Sequence, residues 1–189
     1  MRLIKNRSRG LYLCFVLLFT FVIGGSVMAH ANSGSGTATA IVKAGGLKFS
    51  NATNQVSVQV KTKVNLVSYS LPITVIDARG SGSGWNLSIT STSFSSSNGQ
   101  LPNNASSISS VTASCGLHST CTNPINKISY PLVIPADRTP PPPVKFFNAA
   151  VRSGLGVFSL MMMVNVTVPS SAKAGTYTST VNLTISNGP

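Results

Sequence analysis

"DARGSGSGWNLSIT", residues 77–90, is where one strand stops, the chain turns, and another strand starts. The stretch holds an acid (Asp77), a base (Arg79), the glycines Gly80, Gly82 and Gly84, and Trp85, the only tryptophan in the chain. Beyond the turn, Trp85, Leu87 and Ile89 alternate with Asn86 and Ser88. A period of two marks a half-buried strand. The indole shares its phase with Leu87 and Ile89, which places it on the apolar face as a core anchor. Burying it there is worth several kcal/mol at about 25 cal/mol per Å². An aromatic at the mouth of a glycine loop can also stack on a sugar ring, and that reading stays open beside the first.

The same period recurs on both sides of this stretch. "VSVQV" sets Val56, Val58 and Val60 on one face. "PITVID" sets Ile73 and Val75 in phase and ends on Asp77. "VFSLMMMVNVTV" alternates on even numbers from Phe158 to Val168, and "YTSTVNLTI" on odd numbers through Tyr177, Val181, Leu183 and Ile185. Ser and Thr separate most of the apolar positions, so the outward faces read as neutral and polar. Turn chemistry divides the segments: "GSGSG" at 80–84, "SSSNGQLPNN" at 95–104 and "VPSSAKAGTY" at 168–177. The pattern predicts an all-β fold, a single antiparallel β-sandwich. Residues 98–150 differ and read as a loop-rich insertion. "SYPLVIP" is the strand candidate there, fenced by Pro131 and Pro135. "TPPPPVK", with Pro140 to Pro143, cannot join a central sheet and reads as a loop, or as a segment that docks in a proline-binding groove.

Residues 1–31 read as a cleaved secretory signal peptide. Arg2, Lys5, Arg7 and Arg9 precede an apolar run that ends at "AHA", Ala29 to Ala31. The apolar run is nearly long enough to be an uncleaved anchor instead. Cleavage leaves residues 32–189, one domain by length, with no second long apolar run and so no membrane span. That remainder has no Glu, two Asp (Asp77 and Asp137) and ten Lys plus Arg, a net charge of +8. A basic exported chain meets anionic polymers such as teichoic acids. Lys43, Lys48, Lys61, Lys63 and Lys173, together with Arg79, are the expected sources of attraction. The charges are scattered rather than clustered, which argues against nucleic acid as a partner.

Catalysis is hard to build from this composition. A glycosidase needs two paired carboxylates, and Asp77 and Asp137 are the only acids, each with an arginine near in sequence. A structural pair with Arg79 is the expected role of Asp77. A serine triad would have to use His118, which lies inside "CGLHSTC". The sequence therefore predicts no enzyme, no catalytic residue and no cofactor. Cys115 and Cys121 suit one disulfide in an exported chain. A metal pair with His118 is the alternative, short of the four ligands that zinc prefers.

Two segments are similar to a known family, the WxL-domain surface proteins of Gram-positive bacteria. "DARGSGSGWNL" resembles the family's Asp-x-Arg-Gly turn into Gly-Trp-x-Leu through Asp77, Arg79, Gly80, Gly84, Trp85 and Leu87. "YTSTVNLTISNGP" resembles its closing signature through Tyr177, Val181, Ile185 and Pro189. Leu183 stands where the family has a second Trp, and Asn182 where it has Thr. The resemblance covers residues 37–189 and is weakest in the middle. It implies an all-β domain with the two motif strands close together. It also implies a secreted protein of the cell surface that binds peptidoglycan non-covalently, with other surface proteins as further partners. The loss of the second Trp bears on wall binding rather than on the fold, because Leu183 keeps the apolar phase. A structural subunit of a pilus, coat or matrix, joined by strand edges, is the alternative function.

Overall fold

A computed structural model describes residues 43–50, 53–61 and 63–189. The leader read from residues 1–31 lies outside the described residues. The described residues form thirteen strands: β1 (Leu47–Phe49), β2 (Thr53–Val60), β3 (Leu66–Asp77), β4 (Trp85–Thr92), β5 (Ser95–Ser96), β6 (Gly99–Gln100), β7 (Ser106–Cys115), β8 (Cys121–Thr122), β9 (Leu132–Val133), β10 (Ala136–Asp137), β11 (Val144–Ala149), β12 (Leu155–Thr167) and β13 (Gly175–Asn187). No helix occurs among the described residues.

The long alternating segments become the centres of two sheets. In the first, the order is β1-β3-β12-β7-β9, with β8 also on β12. In the second, it is β10-β4-β13-β5-β6, with β11 on β4 and β2 on β13. All pairings are antiparallel except that of β10 with β4. The register between β12 and β3 runs unbroken from Gly156↔Asp77 to Thr167↔Leu66. A slip of one residue would turn every buried side chain outward, so the alternation itself fixes this register.

The two sheets close on one core. The even positions of β12 (Phe158, Leu160, Met162, Val164, Val166) meet Ile73 and Val75 of β3, Trp85, Leu87 and Ile89 of β4, and Tyr177, Val181 and Leu183 of β13. Contact between the sheets is direct: the Trp85 and Phe158 ring centroids lie 6.3 Å apart. This is the antiparallel β-sandwich that the period-two segments predict.

The middle segment, expected to be loop-rich, also supplies a ten-residue strand to the first sheet, β7. Its apolar residues break the alternation for a physical reason. The register with β12 shifts between Met163 and Val164, from Ser110 to Ile108, so Ser109 is an extra residue. Such a bulge re-phases the strand, leaving Ile108, Val111 and Ala113 to face inward at uneven spacing. "SYPLVIP" contributes only the short β9 and a buried Ile134. The proline stretch runs into β11, where Phe146 and Phe147 are buried. It is tied to β4 through Thr90 Oγ1, which donates to the Pro141 carbonyl at 2.7 Å.

Candidate functional site

The two motif segments meet where β4 and β13 pair. Asn187 lies opposite Trp85, Ile185 opposite Leu87, Leu183 opposite Ile89 and Val181 opposite Ser91. Arg79 laces this junction. Its Nε donates to Asp77 Oδ1 at 2.9 Å and its NH2 to Asp77 Oδ2 at 2.9 Å. The same guanidinium reaches the Gly84 carbonyl at 2.8 Å and Asn187 Oδ1 at 2.6 Å. A planar fork of donors suits this task, which a lysine could not perform. Asp77 is buried at the end of β3, and its Oδ1 also accepts the Arg79 backbone N–H at 3.1 Å. Hydrogen bonding to Arg79 holds the Asp77 carboxyl below the usual carboxylate range, against the opposing effect of burial. The same bond raises Arg79. Asn86 Nδ2 donates to the Gly188 carbonyl at 2.9 Å, and Lys145 Nζ to that of Pro189 at 2.9 Å. The end of the chain is thereby fastened to the first motif.

Trp85 is fully buried. Its Nε1 donates to the Gly154 carbonyl at 2.8 Å, and its ring packs on Phe147 at 5.7 Å between centroids. Two glycines make room for it. Gly84, at φ 74°, leaves space where a Cβ would strike the Ala149 carbonyl oxygen. Gly154, at φ 70°, would set a Cβ 2.7 Å from Trp85 Nε1. The indole is thus walled in, with no face open to a sugar ring. Tyr177 is buried in the same way, its hydroxyl donating to the Lys173 carbonyl at 3.0 Å. Leu87, Val181 and Leu183 are core residues. Ile185 is half-buried, and Pro189 is exposed. Gly80 turns at φ 69°.

These motif residues set the fold, and the strands they hold present another set of side chains outward. β13 shows Thr176, Thr178, Thr180, Asn182, Thr184 and Ser186. Across from them in register stand Gln59, Ser57, Gln55 and Thr53 of β2, and Ser88 and Asn86 of β4; Thr90 of β4 shares the phase but is buried, its hydroxyl bonded to the Pro141 carbonyl. No residue of this three-strand face is charged, and none is apolar. The hydroxyls of Thr180 and Thr184 make no hydrogen bond to the protein among the described residues. The outward face of the other sheet is different, with Met161 and Met163 exposed on β12. The alternation that located the core also located this polar face. In the sequence alone the outward phase is only a general polar surface, because its residues are common ones.

Lys43, Lys48, Lys61, Lys63 and Lys173, the lysines expected to attract anionic polymer, are spread over separate segments rather than gathered in one cluster. Lys48 is on β1, and Lys43 precedes it. Lys61 and Lys63 lie between β2 and β3 and line one cleft, while Lys173 lies between β12 and β13. Asp137 sits on β10, its Oδ1 accepting the Arg138 N–H at 2.7 Å, in the sheet opposite the one that ends at Asp77. Cys115 and Cys121 form a disulfide with a Cα–Cα distance of 5.8 Å, and His118 is exposed in the loop they close.

Fold and junction together define an all-β module built on two laced motif segments. The chain belongs to the WxL family: the model of the WxL domain, a surface cell wall-binding domain, matches residues 36–189. It is therefore a secreted protein of the cell surface that associates with the cell wall. No curated protein and no solved structure matches the chain.

Proposed function

We propose that the protein is a non-enzymatic surface protein that holds to the wall non-covalently. The uncharged face of β2, β4 and β13 lies along the glycan strands of peptidoglycan, and the scattered lysines attract anionic wall polymers. The observation that supports this reading is the outward row from Thr176 to Ser186, flanked in register by Gln59, Ser57, Gln55 and Thr53 of β2 from Thr176 to Asn182 and by Ser88 and Asn86 of β4 at Thr184 and Ser186. Neutral hydroxyls and amides exchange water for sugar hydroxyls and acetamido groups without desolvating a charge. Each bond is weak, and affinity comes from many contacts along a repeating polymer. Asp77 is engaged with Arg79 and Asp137 stands alone on β10, which leaves no carboxylate pair for hydrolysis.

The test is co-sedimentation of the secreted protein with teichoic-acid-free sacculi. A Thr180→Val/Thr184→Val variant keeps the β-branched shape and removes two hydroxyls. It should melt like the parent and pellet less. Equal pelleting of the two proteins would reject this face as the binding surface. A second reading, a subunit of a surface assembly, draws support from the outer edge of β2, which pairs with no strand other than β13 among the described residues. Self-association of the purified protein without pelleting would favour it.

A further inference from the structure

Beyond the glycan-facing surface, the connection between β2 and β3 offers a second site of different chemistry. Lys61 and Lys63 line a cleft of about 460 Å³ together with the apolar Val64, Val168, Pro169 and Ala172 and the polar Asn65 and Ser170. This volume falls among small-ligand clefts, about 300–1,000 Å³. Backbone bonds hold its walls: Val168 N donates to the Asn65 carbonyl at 2.9 Å, and Ala172 N to the Pro169 carbonyl at 2.9 Å. Lys63 adopts φ 68°, a left-handed conformation that glycine takes freely and a lysine side chain resists. A strained charged residue where a turn would favour glycine points from geometry to function.

No acid answers these two cations. The chain's acids are Asp77, paired with Arg79, and Asp137 on β10, and neither lines the cleft. Two like charges lining one cleft raise the local concentration of an anion, and Asn65 and Ser170 add neutral hydrogen-bonding groups beside them. Lysine binds phosphate as a point charge, and two such charges without a planar fork suit singly charged phosphodiesters spaced along a flexible polymer. We infer that this cleft binds the phosphodiester groups of a polyol-phosphate wall polymer. The inference rests on the wall reading and adds a polymer and a place to it.

Binding of the secreted protein to purified poly(glycerol phosphate) at low salt tests this. The Lys61→Gln/Lys63→Gly variant should bind about tenfold more weakly. A charge-matched Lys43→Gln/Lys127→Gln variant, altered outside the cleft, should stay within about twofold. Lys63→Gly alone should melt no lower than the parent, since it relieves backbone strain while removing the charge. Equal losses in the two double variants, or none in the first, would overturn the site. Vesicles of phosphatidylglycerol form the second arm. Cleft-dependent binding to vesicles but not to the polymer would assign the phosphate to lipid and overturn the polymer. Teichoic-acid-free sacculi separate the two proposals: binding there without polymer binding defeats the cleft alone, and binding to neither defeats the wall reading as well.

Discussion

Replacing Trp85 with alanine separates the indole's role in packing from any role in contacting a ligand. The side chain is fully buried, packed at a tilt against Phe147 and Phe158 and hydrogen-bonded to the Gly154 carbonyl. Deleting a buried Trp costs about 3–5 kcal/mol, a large share of a typical domain's stability of about 5–15 kcal/mol. In a domain of this size each kcal/mol moves the midpoint by about 2–4 °C, so Tm should fall by about 6–20 °C. Trp85→Phe keeps most of the ring contact but leaves the Gly154 carbonyl without its donor. That change should cost about 1–3 kcal/mol, a smaller fall in Tm. Thermal melts followed by near-UV circular dichroism read both variants, because the signal reports fixed aromatic packing. A Trp85→Ala protein that melts within about 2 °C of the parent and no longer binds sacculi would refute the packing argument and make the indole a platform.

Three further outcomes follow from the junction and the disulfide. Asp77→Asn removes a buried charge-assisted pair and should cost about 2–3 kcal/mol at pH 7 by denaturant titration. The Asp77 carboxyl is held below its ordinary value, so the pair stabilises the fold above the unfolded carboxylate pKa of about 3.9 and fades as pH drops through the lowered folded value. The gap between parent and variant should shrink below about pH 4, and a gap that does not change with acid would contradict the assignment. Leu183→Trp rebuilds the family's second tryptophan at a buried site already filled against Ile89, and should destabilise by about 1–3 kcal/mol rather than strengthen binding. Cys115→Ser/Cys121→Ser opens a loop closed across a sequence separation of 6 and should cost about 2 kcal/mol; an unchanged denaturation midpoint would show that the bridge does not restrain the unfolded chain.

The fold was legible wherever alternation ran without interruption. Phe158 to Val166 on β12 and Tyr177 to Leu183 on β13 face inward as their spacing demands, and Asp77 closes β3 as a buried acid paired with Arg79. Legibility failed at β7, where one bulged serine separates Ile108 from Val111 by three positions and hides a central strand. It also weakened at β11, where the register with β4 shifts between Lys145 and Phe147, so that Phe146 is an extra residue and Phe146, Phe147, Asn148 and Ala149 are buried in succession. The proposed binding surface is harder to read than the core for a related reason. Motif residues stand out in a sequence because they are rare, yet here Arg79, Gly84 and Trp85 act on the protein itself. The outward Thr and Asn of β13 are common residues, and they become distinctive only when the register aligns them with Gln55, Ser57 and Ser88 on neighbouring strands.

The central claim is that the wall is met by the outward face of β2, β4 and β13. The most direct measurement is backbone amide chemical-shift mapping of the secreted protein titrated with soluble peptidoglycan fragments. Shifts gathered on Thr176 to Ser186 and on the facing positions of β2 and β4, with the Trp85 indole N–H unmoved, are the predicted result. Shifts gathered instead around Met161 and Met163 on the opposite sheet, or no saturable shifts at all, would contradict it.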